Sequence, residues 1–144
     1  YYMMWYGGRR EMFSFKTEDY GKPYILLCGQ KTNLEFNISH SNGVGVVIFS
    51  AKKIGIDIEK IDSYDENIVK RFFCNDEKEY IYGAVNEELR RQYFYEVWTK
   101  KEAYAKWSGR GISEKLLHCN VTNLKYEFNI WYINGIKYAM SVYS

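Results

Sequence analysis

The sequence predicts an α+β domain, an antiparallel β-sheet packed against one long helix and several shorter ones. Three observations carry that expectation. Ile54-Gly55-Ile56-Asp57-Ile58-Glu59 alternates apolar and polar residues without a fault, as a strand with one buried face does. Two further alternating runs flank Asn134-Gly135, the strongest short hairpin signal. Between them, Glu87 to Trp107 places apolar residues at helical spacing, with Leu89, Tyr93, Val97 and Tyr104 on one stripe and Phe94, Trp98 and Ala105 on the next.

At 144 residues the chain reads as one domain, 1–144, with a core of its own. Net charge is +2, from 20 basic and 18 acidic residues, too balanced for bulk binding to nucleic acid, though it leaves room for a local basic groove. Cys28, Cys74 and Cys119 are odd in number and widely spaced, which fits reduced thiols in a cytoplasm better than a disulfide framework or a zinc knuckle. No apolar run approaches the roughly 20 residues that span a bilayer, and no signal peptide is read at the start, so neither membrane nor secretion is expected.

Tyr1 to Tyr6 is an aromatic, apolar run ended by Gly7-Gly8, and is expected to be covered by a partner. Arg9 to Tyr20 shows no clear period. Gly21-Lys22-Pro23 reads as a stiff turn into extended chain, with Lys22 available to a ligand or simply exposed. Tyr24 to Leu27 suits a short strand and Cys28 to Leu34 a polar loop. Phe36 and Ile38 alternate with polar neighbours up to a strand end at Ser39-His40-Ser41, whose hydroxyl and imidazole groups make a candidate phosphate cradle. A lone histidine there serves as readily in a structural role. Val44 to Ser50 is strongly β. Ala51-Lys52-Lys53 is read as the turn of a hairpin returning through Ile54–Glu59, which would put Ser39-His40 beside the carboxylates. Asn67 to Phe73 suits a short helix. Asn75 or Asp76 caps the next, which Gly83 ends. Gly109-Arg110-Gly111 breaks the long helix.

In the Ile54–Glu59 strand the isoleucines face a core, and Asp57 and Glu59 share the other side with Gly55. Residues two apart lie roughly 7 Å apart along a strand, so their carboxylates can converge on one cation. Gly55 leaves space for a close approach to the backbone. Taken alone, the segment reads as an amphipathic strand with a solvated acidic side. On the long helix, however, Trp98, Glu102 and Lys106 form one i, i+4, i+8 row at the edge of the apolar face, which gives a third carboxylate aligned with a buried tryptophan. Oxygen-only ligands from two elements suit Mg2+, and Lys22, Ser39, His40, Lys101 and Lys106 around them suit a phosphate-rich ligand. That is apparatus for metal-assisted phosphoryl-type transfer.

The chain resembles the 4′-phosphopantetheinyl transferases, in particular the larger class that activates peptide synthetases such as surfactin synthetase. The resemblance runs through Gly21-Lys22-Pro23, Phe36-Asn37-Ile38-Ser39-His40-Ser41, Gly55-Ile56-Asp57-Ile58-Glu59, Arg71-Phe72-Phe73 with Glu77, and Trp98-Thr99-Lys100-Lys101-Glu102-Ala103-Tyr104-Ala105-Lys106 with Gly109 and Gly111. It implies an enzyme, a holo-[carrier protein] synthase, that moves the phosphopantetheine arm of coenzyme A to a serine of an acyl or peptidyl carrier protein and releases 3′,5′-ADP. It implies Asp57, Glu59 and Glu102 as Mg2+ ligands. It makes Glu102 and Lys106 catalytic, and Lys22, Asn37, Ser39, His40, Lys101 and Lys106 contacts to coenzyme A. The larger class is usually pseudo-symmetric, and this chain matches the second half and the end of the first. The smaller class forms trimers of single-domain chains. A homo-oligomer or a separate N-terminal half is therefore the expected partner. The alternative is a module that binds coenzyme A or a carrier protein without turnover.

Overall fold

Three two-residue hairpins shape the strands, and all three use the same backbone solution. Cys28-Gly29, Asn42-Gly43 and Asn134-Gly135 each have positive φ at both positions, near 50° and then near 80°. That geometry matches the right-handed twist of the strands it joins. In the computed structural model, which describes residues 12–18, 21–110 and 118–144, the order is β1 (Phe13–Thr17), β2 (Pro23–Leu27), β3 (Gln30–Lys31), β4 (Glu35–Ser41), β5 (Val44–Ser50), β6 (Gly55–Lys60), α1 (Glu66–Phe72), α2 (Asn75–Tyr82), α3 (Glu87–Ser108), β7 (Glu127–Ile133) and β8 (Ile136–Tyr143). This is the expected α+β class, with antiparallel sheets and one long helix.

The strands form a β1-β2-β3 sheet, a β4-β5 hairpin and a β6-β8-β7 sheet, every pair antiparallel. Two expectations are corrected here. The hairpin leading towards the carboxylates is β4–β5, turning at Asn42-Gly43, so Ser39 and His40 lie within β4 instead of beyond its end. β6 is no hairpin partner of β5; it pairs with β8, Asp57 opposite Ser141 and Glu59 opposite Ala139. Residues 13–17, where no period was evident, form strand β1 against β2.

Asn86 caps α3 by accepting from the Leu89 amide at 2.8 Å, and Gly109, in the left-handed region, ends it. One core gathers Val69, Phe73, Ile81, Phe94, Val97 and Val121 between the helices. A second packs Ile54, Ile56 and Val142 against Val46, Ile48 and Met140, so the isoleucine side of β6 is buried as expected. The other side of β6 lies under α3. A Cβ added at Gly55 would stand 2.0 Å from the Ala103 carbonyl oxygen and 2.6 Å from the Trp107 amide nitrogen. The expected close approach at Gly55 is thus made by the backbone of the long helix. Thr99 and Ser141 close the same layer with a buried hydroxyl–hydroxyl bond of 2.7 Å.

Candidate active site

Because α3 sits on Gly55, its last two turns lie over the polar side of β6 and carry Glu102 and Lys106 towards Asp57 and Glu59. Asp57 is buried, 2% exposed, which rules out a solvated acidic side for this strand. Its Oδ1 accepts from Lys106 Nζ and from Ser39 Oγ, each at 2.7 Å. Its Oδ2 is also buried and has no hydrogen-bond partner among the described residues. Half-buried Glu59 accepts at Oε2 from Ser41 Oγ at 2.8 Å. Glu102 is buried and makes no hydrogen bond among the described residues.

The electrostatics follow from too many acids in too little water. Burial raises the Asp57 carboxyl above the ordinary range, against the opposing pull of Lys106 and Ser39. Burial likewise raises Glu59, with the Ser41 bond opposing and the Asp57 charge adding. Glu102 is pushed up to about 7, by burial first and then by the charge of Asp57, with Lys106 opposing and Glu59 adding. Three carboxyl groups thus feel one another while Lys106 supplies an ammonium bonded to Asp57. Among the described residues no three His, Cys, Asp or Glu side chains are gathered into a ready-made metal cluster. The bare Oδ2 of Asp57 and the mutual repulsion nevertheless fit a hard, oxygen-seeking cation.

β4 braces the site from the side. The amides of Ile56 and Ile58 donate to Asn37 Oδ1 and Ser39 Oγ at 3.3 Å, and that of Lys60 to Ser41 Oγ at 3.1 Å. β6 therefore has a backbone ladder to β8 on one edge and side-chain rungs from β4 on the other. This is also where Asn37 is placed, buried against the strand that carries the carboxylates.

The remaining expected residues are placed elsewhere. His40 alternates with Ser39 and points to the exposed outer face of the β4–β5 hairpin, close enough to Glu59 for its charge to be felt there. Lys22 pairs with Glu35 at 2.6 Å, its stem near Gly109 at the end of α3. Lys101 is fully buried, 2.8 Å from equally buried Glu77 and 2.8 Å from the Cys119 carbonyl oxygen. Glu77 also accepts from the amides of Cys74 and Val121. One helical step, roughly 100°, separates Lys101 from Glu102 and turns it towards α2 and the helical core. Gly111 and the aromatic run Tyr1 to Tyr6 lie outside the described residues. Sequence reasoning missed the bracing role of Ser41. Its signal was the period-two series Asn37, Ser39, Ser41 on a strand whose other side is apolar.

Comparison with known proteins gives this site a context. The family model described as the 4′-phosphopantetheinyl transferase superfamily matches residues 53–139. A 4′-phosphopantetheinyl transferase of Bacillus subtilis is 40% identical over 100 residues, 69% of this chain and 43% of that protein. The 4′-phosphopantetheinyl transferase Sfp of Bacillus subtilis (strain 168) is 38% identical over 99 residues, 69% of this chain and 42% of that protein. HetI of Nostoc sp., also named a 4′-phosphopantetheinyl transferase, is 35% identical over 103 residues, with 69% and 43% covered. In each case the match spans less than half of the relative's length.

Proposed function

Because the chain belongs to the 4′-phosphopantetheinyl transferase superfamily, we propose that it transfers the 4′-phosphopantetheine arm of coenzyme A to a serine hydroxyl of an acyl or peptidyl carrier protein. The serine oxygen forms a bond to the phosphorus that bears the pantetheine arm. The bond from that phosphorus to the bridging oxygen breaks, and 3′,5′-ADP leaves. Its support is the gathering of Glu59, Glu102 and Lys106 near buried Asp57, whose Oδ2 has no hydrogen-bond partner among the described residues.

Asp57, Glu59 and Glu102 would hold Mg2+, which neutralises charge on the pyrophosphate when bound. Glu102, raised to about 7, is a stronger base than an ordinary carboxylate and accepts the serine proton directly or through a water. Lys106, held by Asp57 at 2.7 Å, carries its positive charge to the edge of the site, where pyrophosphate oxygens would lie. Lys22, whose stem lies near the end of α3, and His40, on the outer face of β4, would bind the nucleotide end.

A partner surface belongs to the same proposal. On the outer face of β4–β5, Ile38, Val47 and Phe49 are about half exposed, and Phe15 of β1 is 67% exposed beside Phe36. His40 shares that face. A second copy, or a separate half, seated there would bury an apolar strip and close the nucleotide side of the site. No helix among the described residues is long and apolar enough to cross a membrane.

The direct test incubates the chain with coenzyme A, Mg2+ and an apo carrier protein and weighs the carrier. A gain equal to the phosphopantetheine arm, abolished by Glu102→Ala, is expected. No gain with several carriers, alongside retained coenzyme A binding, would favour a binding module. Full activity from a monomer, by light scattering at micromolar concentration, would remove the partner surface from the proposal.

A further inference from the structure

The geometry points to Ser39 and Ser41 as positioning residues that choose which oxygen of Asp57 and of Glu59 is offered to a divalent cation. This rests on the cation reading above and deepens it. The rungs from β4 to β6 keep a constant offset. Asn37 takes the amide of Ile56, Ser39 that of Ile58 and Ser41 that of Lys60. The two hydroxyl protons keep the same spacing, Ser39 donating to Asp57 and Ser41 to Glu59. A constant offset means that the two strands run parallel and in register, with side chains substituting for the missing backbone ladder.

A serine hydroxyl has one proton and two lone pairs. In each rung a backbone amide of β6 engages a lone pair, which fixes the direction in which the proton points. That proton then falls on one oxygen of the neighbouring carboxylate, Oδ1 of Asp57 and Oε2 of Glu59. Lys106 adds a second donor to the same Oδ1. The consequence is visible at Asp57, where the Ser39 and Lys106 donors both fall on Oδ1 and Oδ2 stays buried with no hydrogen-bond partner among the described residues. A donor on one oxygen locks the carboxylate plane and leaves the other oxygen as the ligand, the usual task of groups that stand behind metal ligands. Ser39 thus acts through Asp57. Its single proton is already committed, whereas a contact to a nucleotide phosphate would need that proton free.

The experiment titrates Mn2+ into the 144-residue chain by calorimetry, with free Mn2+ followed by electron paramagnetic resonance. It compares the parent, Ser39→Ala, Ser41→Ala and Ser41→Thr. Each alanine variant is expected to bind Mn2+ about 10-fold more weakly, and Ser41→Thr, which keeps the hydroxyl, to return to within about 3-fold of the parent. Ser41 is only half-buried, so its variant keeps the test decisive should Ser39→Ala unfold. Alanine variants that lose thermal stability but bind Mn2+ as the parent does would reduce the serines to structural rungs and overturn the inference. A parent that binds no Mn2+ would overturn the cation reading itself and this inference with it, an outcome plainly distinct from the first.

Discussion

Replacing Glu102 with glutamine should make this protein more stable while removing the group proposed as its base. The Glu102 carboxyl ordinarily titrates near 4.5 and is raised to about 7 in the fold. Between those values the native state holds a proton that the unfolded chain has lost, so stability falls as pH rises through this window. The loss is complete above the folded value. At 1.36 kcal/mol per unit it amounts to about 3 kcal/mol at pH 8 and shrinks below about 1 kcal/mol at pH 5. Glutamine keeps the shape and carries no charge to bury. Glu102→Gln should therefore raise Tm by roughly 10 °C at pH 8 and far less at pH 5, at about 3 to 4 °C per kcal/mol for a chain of this size. Calorimetric scans of both proteins in chelator, at the two pH values, measure it. Saturating Mg2+ should stabilise the parent more than the variant at pH 8, because only the parent presents the charge. Equal Tm values at pH 8, or a difference that does not change with pH, would refute the argument that burial and the neighbouring acids raise the Glu102 carboxyl in the fold.

The other consequences are simpler to read. Gly55→Ala should cost more than about 3 kcal/mol in urea unfolding, since its Cβ would collide with the backbone of α3. Gly45→Ala, with open space around it, should cost less than about 1 kcal/mol. Lys101→Met should cost about 3 to 5 kcal/mol by leaving Glu77 charged and buried without its ammonium, and a second change, Glu77→Gln, should restore part of that loss. Lys106→Ala should lower carrier modification at least about 100-fold, as expected for loss of a charge-stabilising donor. An intact rate at saturating coenzyme A would deny Lys106 that role.

What was legible in the sequence was local. The α3 helix announced itself by its period and the glycine after it, and β6 by its unbroken alternation. The row Trp98, Glu102, Lys106 followed from helical arithmetic and placed two site residues correctly relative to each other. The pairing of β6 was not legible, because its partner β8 comes from the far end of the chain and nothing local to either strand names the other. The hairpin before it was misassigned for a different reason. Asn42-Gly43 carried the same turn signal as Asn134-Gly135, but the hydroxyls and imidazole beside it suggested a strand end open to a ligand. Lys101 shows the limit most clearly. It directly precedes Glu102, yet its partner Glu77 lies on another helix, and only packing decides that Lys101 is held in the core while Lys106, five residues on, meets Asp57.

The position of the acids explains why this fold tolerates them. The buried Lys101–Glu77 pair and the core of Val69, Phe73, Ile81, Phe94, Val97 and Val121 anchor the middle turns of α3 on the side turned away from β6. Gly55 then clamps the last turns of the helix onto β6 by backbone contact, with no side chain free to relax. Glu102 lies between these contacts and is buried, so the charges of Asp57 and Glu59 add to burial in raising its carboxyl. On the proposed reading, a bound cation would relieve this crowding of carboxyl groups, and the rungs from β4 would select the oxygen through which it is met.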